Sequence, residues 1–317
     1  MAFIDSLQSI IPIALFYSAP LIFTALGGVV SERSGVVNIG LEGLMVMGAF
    51  VGIVFNLTFA DVFGAATPWI SIIAAAVVGG IFALLHAVAS ITFRADQVVS
   101  GVAINFLAVG LGVFLTKQWY GKGQTDMVQQ PFYSKSVPIL SDIPVIGEMF
   151  FARAYYTSYL AIFLAFVGWF VLYKTTFGLR LRSVGEHPMA ADTNGINVYK
   201  MRYIAVILSG ALGGLGGAVF ALTIALNFSG STIVGQGFMA LAAVIFGKWH
   251  PLGALGAALF FGFAQSLSVS GLPILDNVPD VYLTIAPYLL TILALAGFIG
   301  RAEAPKASGD PYIKGSR

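Results

Sequence analysis

Apolar positions run through this 317-residue chain in nine long blocks, at about 10–30, 36–58, 68–93, 97–116, 156–173, 200–226, 233–247, 252–270 and 281–300. Most come close to the roughly 17–25 residues that a helix needs to cross hydrocarbon. The pattern therefore predicts an all-α polytopic membrane protein with about nine transmembrane segments. Two blocks are irregular. Block 233–247 is short and broken by Gly235 and Gly237, and block 36–58 opens with the glycine-punctuated SERSGVVNIGLEG. Short or glycine-interrupted segments predict discontinuous helices that line a pathway.

One polar island stands out, KTTFGLRLRSVGEHPMAADTNGINVYKMR at 174–202. It carries Lys174, Arg180, Arg182, Lys200 and Arg202, five of the sixteen basic residues, between two membrane-length blocks. Its basic excess assigns it to the cytoplasm. Pro188 suits the first position of a helix, where its missing N–H is not needed. Gly195 suits the end, because glycine takes the left-handed cap conformation without strain. The island thus predicts a surface helix of about two turns, roughly 188–194. A bare connection needs only a few residues, so a helix here suggests a docking surface for a cytoplasmic partner.

Counting spans outward from the island puts twelve basic residues inside and four outside, with Lys117, Lys122, Lys135 and Arg153 as the outer four. That split predicts the N-terminus outside and the C-terminus in the cytoplasm. Stretch 117–155 becomes an external loop, and its PILSDIPVIG is expected to form a short interfacial element. Tyr155, Tyr156 and Tyr159 fall at the outer end of the fifth block and Trp169 and Tyr173 at its inner end, as an aromatic belt predicts. Residues 1–300 read as one membrane domain. Residues 301–317 read as a polar, loosely ordered cytoplasmic tail. The first ten residues hold Asp5 and no basic residue, which does not suit a secretory signal.

Composition agrees with a membrane protein: 58% hydrophobic and 9% charged residues, against about 25% charged in soluble domains. No cysteine is present, which excludes disulfides, iron–sulfur clusters and cysteine-ligated zinc. Histidines and carboxylates show no metal-ligand spacing. The GKG at 121–123 and GKW at 247–249 do not fit the phosphate loop G-x-x-x-x-G-K-[ST], and no nucleophile–base–acid set appears. The chain is expected to be non-catalytic.

Ionisable and amide side chains inside spans need a reason, because each is costly in hydrocarbon. Glu42, in NIGLEGLMVMGAF, falls about one helical turn from Asn38, so a helix would present both on one face. Glu42 reads either as a pathway wall that binds a polar solute, or as a group that pairs with Arg33 or caps a broken helix. Adjacent Glu32 and Arg33 read as a structural ion pair. Asn105, Asn227, Gln236 and Gln265 read singly as interhelical hydrogen bonds and together as a weakly polar channel. His86 reads as a packed span residue and His250 as an interfacial one. The runs 40–52 plus 68–88 and 235–247 plus 251–267 form a faint repeat, a glycine-rich helix followed by a small-residue span. Duplicated halves around a central site are a transporter habit.

The island, read as F-G-L-R-L-R-S-V-G-E-H-P-x-A-A-x-x-x-G-I, resembles the cytoplasmic coupling loop of ABC-importer permeases in the ribose/galactose/branched-chain amino acid superfamily. SERSGVVNIGLEGLMVMGAF (31–50) resembles its nucleoside-type branch, and GFMALAAVIFGKWHPLGALGAALFFG (237–262) also matches. The resemblance implies a type II ABC-importer-like permease for nucleosides in the plasma (inner) membrane, with ribose or galactose as alternative solutes. It implies a second related permease, as a heterodimer or a homodimer. It also implies a cytoplasmic ATPase that holds ATP and magnesium, and an external solute-binding protein. By resemblance Gly185, Glu186, Pro188, Ala190, Ala191 and Gly195 carry the ATPase dock in a coupling loop at 174–202. Asn38, Glu42, Asn105, Gln236 and Phe238 are the expected substrate path. A self-sufficient secondary transporter, with Glu42 as its ion site, is the rival reading.

Overall fold

Apolar length turns into helix along the chain. The computed structural model describes residues 2–269, 285, 289 and 303–315. Among them are ten α-helices: α1 (Ala2–Glu32), α2 (Leu41–Phe63), α3 (Thr67–Ala87), α4 (Gln97–Tyr120), α5 (Tyr156–Lys174), α6 (Thr176–Glu186), α7 (Pro188–Thr193), α8 (Val198–Phe220), α9 (Gln236–Phe246) and α10 (Pro251–Val269). Six continuous helical stretches are long and apolar enough to cross a membrane: Leu7–Glu32, Leu41–Thr92, Gln97–Tyr120, Tyr156–Lys174, Val198–Ala225 and Pro251–Val269. The second spans 52 residues because it is a hairpin of α2 and α3 that turns at Gly64, whose φ is +51°. Apart from Ile285 and Leu289, the ninth apolar block, 281–300, lies outside the described residues, as do Arg301 and Arg317.

Small residues decide how the helices meet. α8 reads SGALGGLGGA through its middle, and three helices use its bare flanks. A Cβ at Gly216 would lie 2.7 Å from the Pro20 carbonyl of α1, and one at Gly214 would lie 2.5 Å from the Ala75 carbonyl of α3. A Cβ at Gly217 would overlap the Met45 carbonyl of α2. Backbones touch with nothing between them. In lipid, where no hydrophobic force drives helices together, such close approach is what holds a bundle.

Two faces follow. At one, α6, α7 and the ends of α1 and α9 come together, with Arg33 hydrogen-bonded to Trp249. At the other, Phe16 of α1 packs 4.5 Å from Tyr155, and the 121–155 loop is laid over the helix ends. That loop is stitched down by backbone bonds from Thr125 to Phe228 (2.9 Å), Val128 to Leu226 (2.8 Å) and Phe132 to Leu222 (3.1 Å). Asn56 of α2 holds it by a reciprocal pair to the Gln130 backbone at 2.7 and 3.1 Å. The expected interfacial element is a 3₁₀ turn at Leu140–Asp142 and a π turn at Gly147–Phe151.

Three expectations change. Positions 36–40 are not helical, and α2 begins only at Leu41. The island carries two helices, α6 and α7, where one was expected. Residues 303–315 are not loose, because Ala307 and Tyr312 are buried against the α6–α7 face.

Candidate functional site

The α6–α7 segment owes its shape to local chemistry. Thr175 caps α6 by accepting from the Gly178 N–H at 3.3 Å. Proline disfavours helical geometry in the residue before it, so His187 leaves the helix at φ −145° and Pro188 starts α7 afresh. Gly195, at φ +79°, ends α7, and Asn197 caps α8 by accepting from Lys200 N–H at 2.9 Å. Leu181, Val184 and Ala191 point inward. Arg182 folds back, donating to the Leu172 carbonyl at 3.0 Å and lying 4.5 Å over the Tyr173 ring. The outer side, between α6, α7 and the base of α8, is an open groove of about 1010 Å³ bordered by Phe177, Arg180, Ser183, Ala190, Asn194 and Lys200.

Beneath the groove sits a joint centred on Arg33. Its Nε donates to the Trp249 carbonyl at 2.7 Å and its Nη2 to the Lys248 carbonyl at 3.2 Å, and Nη1 is 3.8 Å from the Glu186 carboxylate. One guanidinium thus binds the end of α6 to the end of α9. Lys248 and Trp249 both hold left-handed φ, 52° and 53°, so this turn needs outside support. Glu32 supplies more of it by accepting from the Trp249 indole N–H. The expected Glu32–Arg33 ion pair does not form, because both side chains are committed to Trp249. His250 accepts from the Leu252 N–H at 3.2 Å and so starts α10. Burial, and then the Arg33 charge, hold its pKa below the usual histidine value, which keeps the imidazole neutral and able to accept.

From the joint, residues 33–40 climb without helix into the bundle. Their backbone groups are satisfied by side chains from three helices, as unwound backbone at membrane depth requires. Gln97 accepts from Val37 N–H at 2.6 Å, and His86 bonds the Val37 carbonyl at 3.0 Å. Asn105 donates to the Ile39 carbonyl at 3.1 Å and accepts from Gly43 N–H at 2.8 Å. Asn38 is buried and donates to Ser209 of α8 at 2.9 Å.

Glu42 then joins this break to the second one. Its two carboxylate oxygens accept from Gly235 N–H at 2.5 Å and Gly237 N–H at 2.6 Å, at the start of α9. A carboxylate here satisfies orphan donors and faces the positive end of the helix. Glu42 therefore caps the broken helix and does not reach Arg33. α2 and α9 start at one another and run to opposite faces. Pro68 and Pro251 open the helices that follow, so the two runs of the faint repeat are arranged as inverted partners.

The candidate path residues fall around this junction. Asn38, Glu42 and Asn105 hold the two breaks, and the Gln236 side chain accepts from Val234 N–H at 2.5 Å beside them. Phe238 is half-exposed on the first turn of α9. Asn38 precedes α2, so it does not share a helix face with Glu42. Of the candidate dock residues, Glu186, Ala190, Ala191 and Gly195 border the groove. Pro188 is partly covered, and Ala191 and Gly185 are buried; a Cβ at Gly185 would overlap the Arg33 carbonyl. Sequence reading did not single out Gln97, Trp249 or Ser209, and it treated Arg33 as one of the inner basic residues and as a partner for a carboxylate.

A helical membrane bundle in which the short helix α9 meets an unwound stretch at the start of α2, with a structured surface segment joined to both, fits a permease. The chain belongs to the family described as the permease component of the branched-chain amino acid transport system, whose model matches residues 10–295. It is 66% identical, over the whole of both chains, to the guanosine ABC transporter permease protein NupQ of Bacillus subtilis (strain 168). It is 54% identical to the nucleoside ABC transporter permease protein NupC of Lactococcus lactis subsp. cremoris (strain MG1363), over 99% of each chain. It is 34% identical to the putative glucose ABC transporter permease protein TsgC13 of Haloferax volcanii (strain ATCC 29605), over 90% of this chain and 89% of the relative.

Proposed function

We propose that this chain is the membrane subunit of an ATP-driven importer and forms part of the path for nucleosides. The observation that carries the substrate class is the end-to-end likeness to two relatives named for guanosine and for nucleosides, at 66% and 54% identity. In this reading a separate ATPase holds ATP and magnesium and seats in the groove beside α6 and α7. A second related permease completes the path, and an external binding protein delivers solute. The α6–α7 face is cytoplasmic. Counting spans assigns twelve basic residues to this face and Lys117, Lys122, Lys135 and Arg153 to the other, and that excess supports the reading. The N-terminus is then outside, and the tail is cytoplasmic.

The geometry gives this reading a mechanism. A push on α6 is felt at Arg33 through Glu186 and through the Gly185–Arg33 backbone contact. Arg33 holds one end of α9 and Glu42 holds the other. The half-helix is therefore gripped at both ends by groups that follow the surface segment. Rigid movement of such an element exchanges outward and inward openings. A partner that binds one arrangement better than the other drives the exchange.

Reconstituted with its partner permease, ATPase and binding protein, the chain is expected to import labelled nucleoside only when ATP is supplied. Alone in liposomes it is expected to move none under a proton or sodium gradient; uptake there would overturn the reading in favour of secondary transport. Ala190→Glu places a charge in the groove without touching the joint. Binding-protein-stimulated ATP hydrolysis and uptake are expected to fall together, on the order of tenfold, as when a central interface position is lost. Unchanged stimulation in that variant would remove the groove from the docking role.

A further inference from the structure

The strongest feature left unused by this mechanism is the packed tail. Its backbone crosses three separate parts of the α6–α7 face. Ala307 N–H donates to the Gly185 carbonyl at 2.9 Å, at the end of α6. Gly309 N–H donates to the Gly35 carbonyl at 3.2 Å, in the break before α2. Tyr199, at the base of α8, donates to the Tyr312 carbonyl at 3.3 Å, and the two rings meet edge to face at 5.3 Å. Arg202 is 1% exposed, and its Nη1 donates to the Asp310 carbonyl at 2.9 Å. Its Nε and Nη2 find no partner among the described residues. A fully buried guanidinium with one hydrogen bond is a poor arrangement for stability alone. Gly35 holds φ +87°, and a Cβ there would come within 2.9 Å of Arg202 Nη2 and 3.0 Å of the Ala307 carbonyl. Tail, break and arginine are therefore fitted around one residue that has no room for a side chain.

We propose that residues 307–312 are a clamp in the coupling path, fixing the end of α6 to the break before α2, with Arg202 as the positioning residue that seats the clamp. The reason is mechanical. The direct contact between α6 and the break is the Gly185–Arg33 approach together with the Arg33–Glu186 ion pair, whose side chains are 18% and 42% exposed respectively. An exposed pair is weak. The tail adds a hydrogen bond to each element from one short segment anchored by buried Ala307 and Tyr312, so the two move together. Without it α6 still meets the ATPase, but its motion is passed on less faithfully. This inference rests on the ATP-driven reading.

The test uses the complete reconstituted transporter in three forms: the chain ending at residue 302, Arg202→Met, and Tyr312→Ala, which loosens the tail without altering α8. Binding-protein-stimulated ATP hydrolysis is expected to stay within about twofold, while nucleoside imported per ATP falls at least about fivefold. A parallel fall in both, or no change in either, would overturn the clamp. A second readout does not depend on what is transported. Amide hydrogen exchange in residues 31–37 of the full chain is expected to quicken in the truncated and Tyr312→Ala forms, and unchanged exchange would overturn the clamp even if the ATP-driven reading itself failed.

Discussion

Gly217→Leu is expected to leave little folded protein. In α8 this position faces the Met45 carbonyl of α2 so closely that even a Cβ would overlap it, with Met45 C and Cα at 2.6 and 2.7 Å. The obstacle is helix backbone, which cannot rotate aside as a long side chain can, so α2 and α8 must separate. Neighbouring contacts, Gly48 on Gly214 and Gly52 on Ala218, open with them. Overpacking a well-fitted interior costs about 1–3 kcal/mol and more when backbone must move, against a total stability of about 5–15 kcal/mol. The natural control is Gly110→Leu on α4, where a Cβ meets nothing within 4 Å. It removes a flexible glycine from a helix, which is worth about 1 kcal/mol in the favourable direction. Thermal unfolding in detergent, with yield of monodisperse protein, separates the two. Equal losses, or a well-folded Gly217→Leu, would mean that close backbone contact is not what holds the bundle.

How far this arrangement can be read from residues alone depends on where backbone partners come from. α7 is legible because Pro188 and Gly195 are local signals that need no tertiary context. Span lengths are legible because hydrocarbon demands them. The neighbouring α6 is not: FGLRLRSVGE interleaves Arg180 and Arg182 with Leu179 and Leu181, which reads as loop until α5 and the tail cover Leu181 and Gly185. Residues 36–40 mislead in the other direction. GVVNIG is apolar enough to extend a helix, yet it stays unwound because Gln97, His86 and Asn105, far along the chain, supply the partners a helix would otherwise supply. Those three side chains look like separate interhelical bonds in sequence, and only their convergence shows that they serve one stretch. The tail is hidden for a similar reason. Pro305, Ala307 and Tyr312 are too few to announce a buried face, and their site is made from residues more than a hundred positions away. Glu42 shows the limit most sharply. Its cost in hydrocarbon marks it as important, but a cap and a solute site demand the same carboxylate.

Glu42→Gln distinguishes those two roles. The amide keeps the shape and removes one acceptor, so one of the Gly235 and Gly237 N–H groups faces an NH₂ instead of an oxygen. Each of these bonds is charge-assisted, worth about 1.5–3 kcal/mol, and the helix end also loses a favourable charge of up to about 2 kcal/mol. The start of α9 is buried against α2, where a Cβ at Gly237 would meet the Glu42 backbone, so water does not readily replace the lost acceptor. Nucleoside uptake by the full transporter is therefore expected to fall by at least about tenfold, the equivalent of 1.4 kcal/mol or more in the population of the working arrangement. Glu42→Asp, one methylene shorter, cannot reach both donors and is expected to fall between the two. A proton site behaves differently: its amide variant loses pH dependence while keeping downhill exchange of solute. Uptake in Glu42→Gln that stays near the native rate, or lost uphill transport with downhill exchange retained, would take the carboxylate out of the helix cap and put it back on the path.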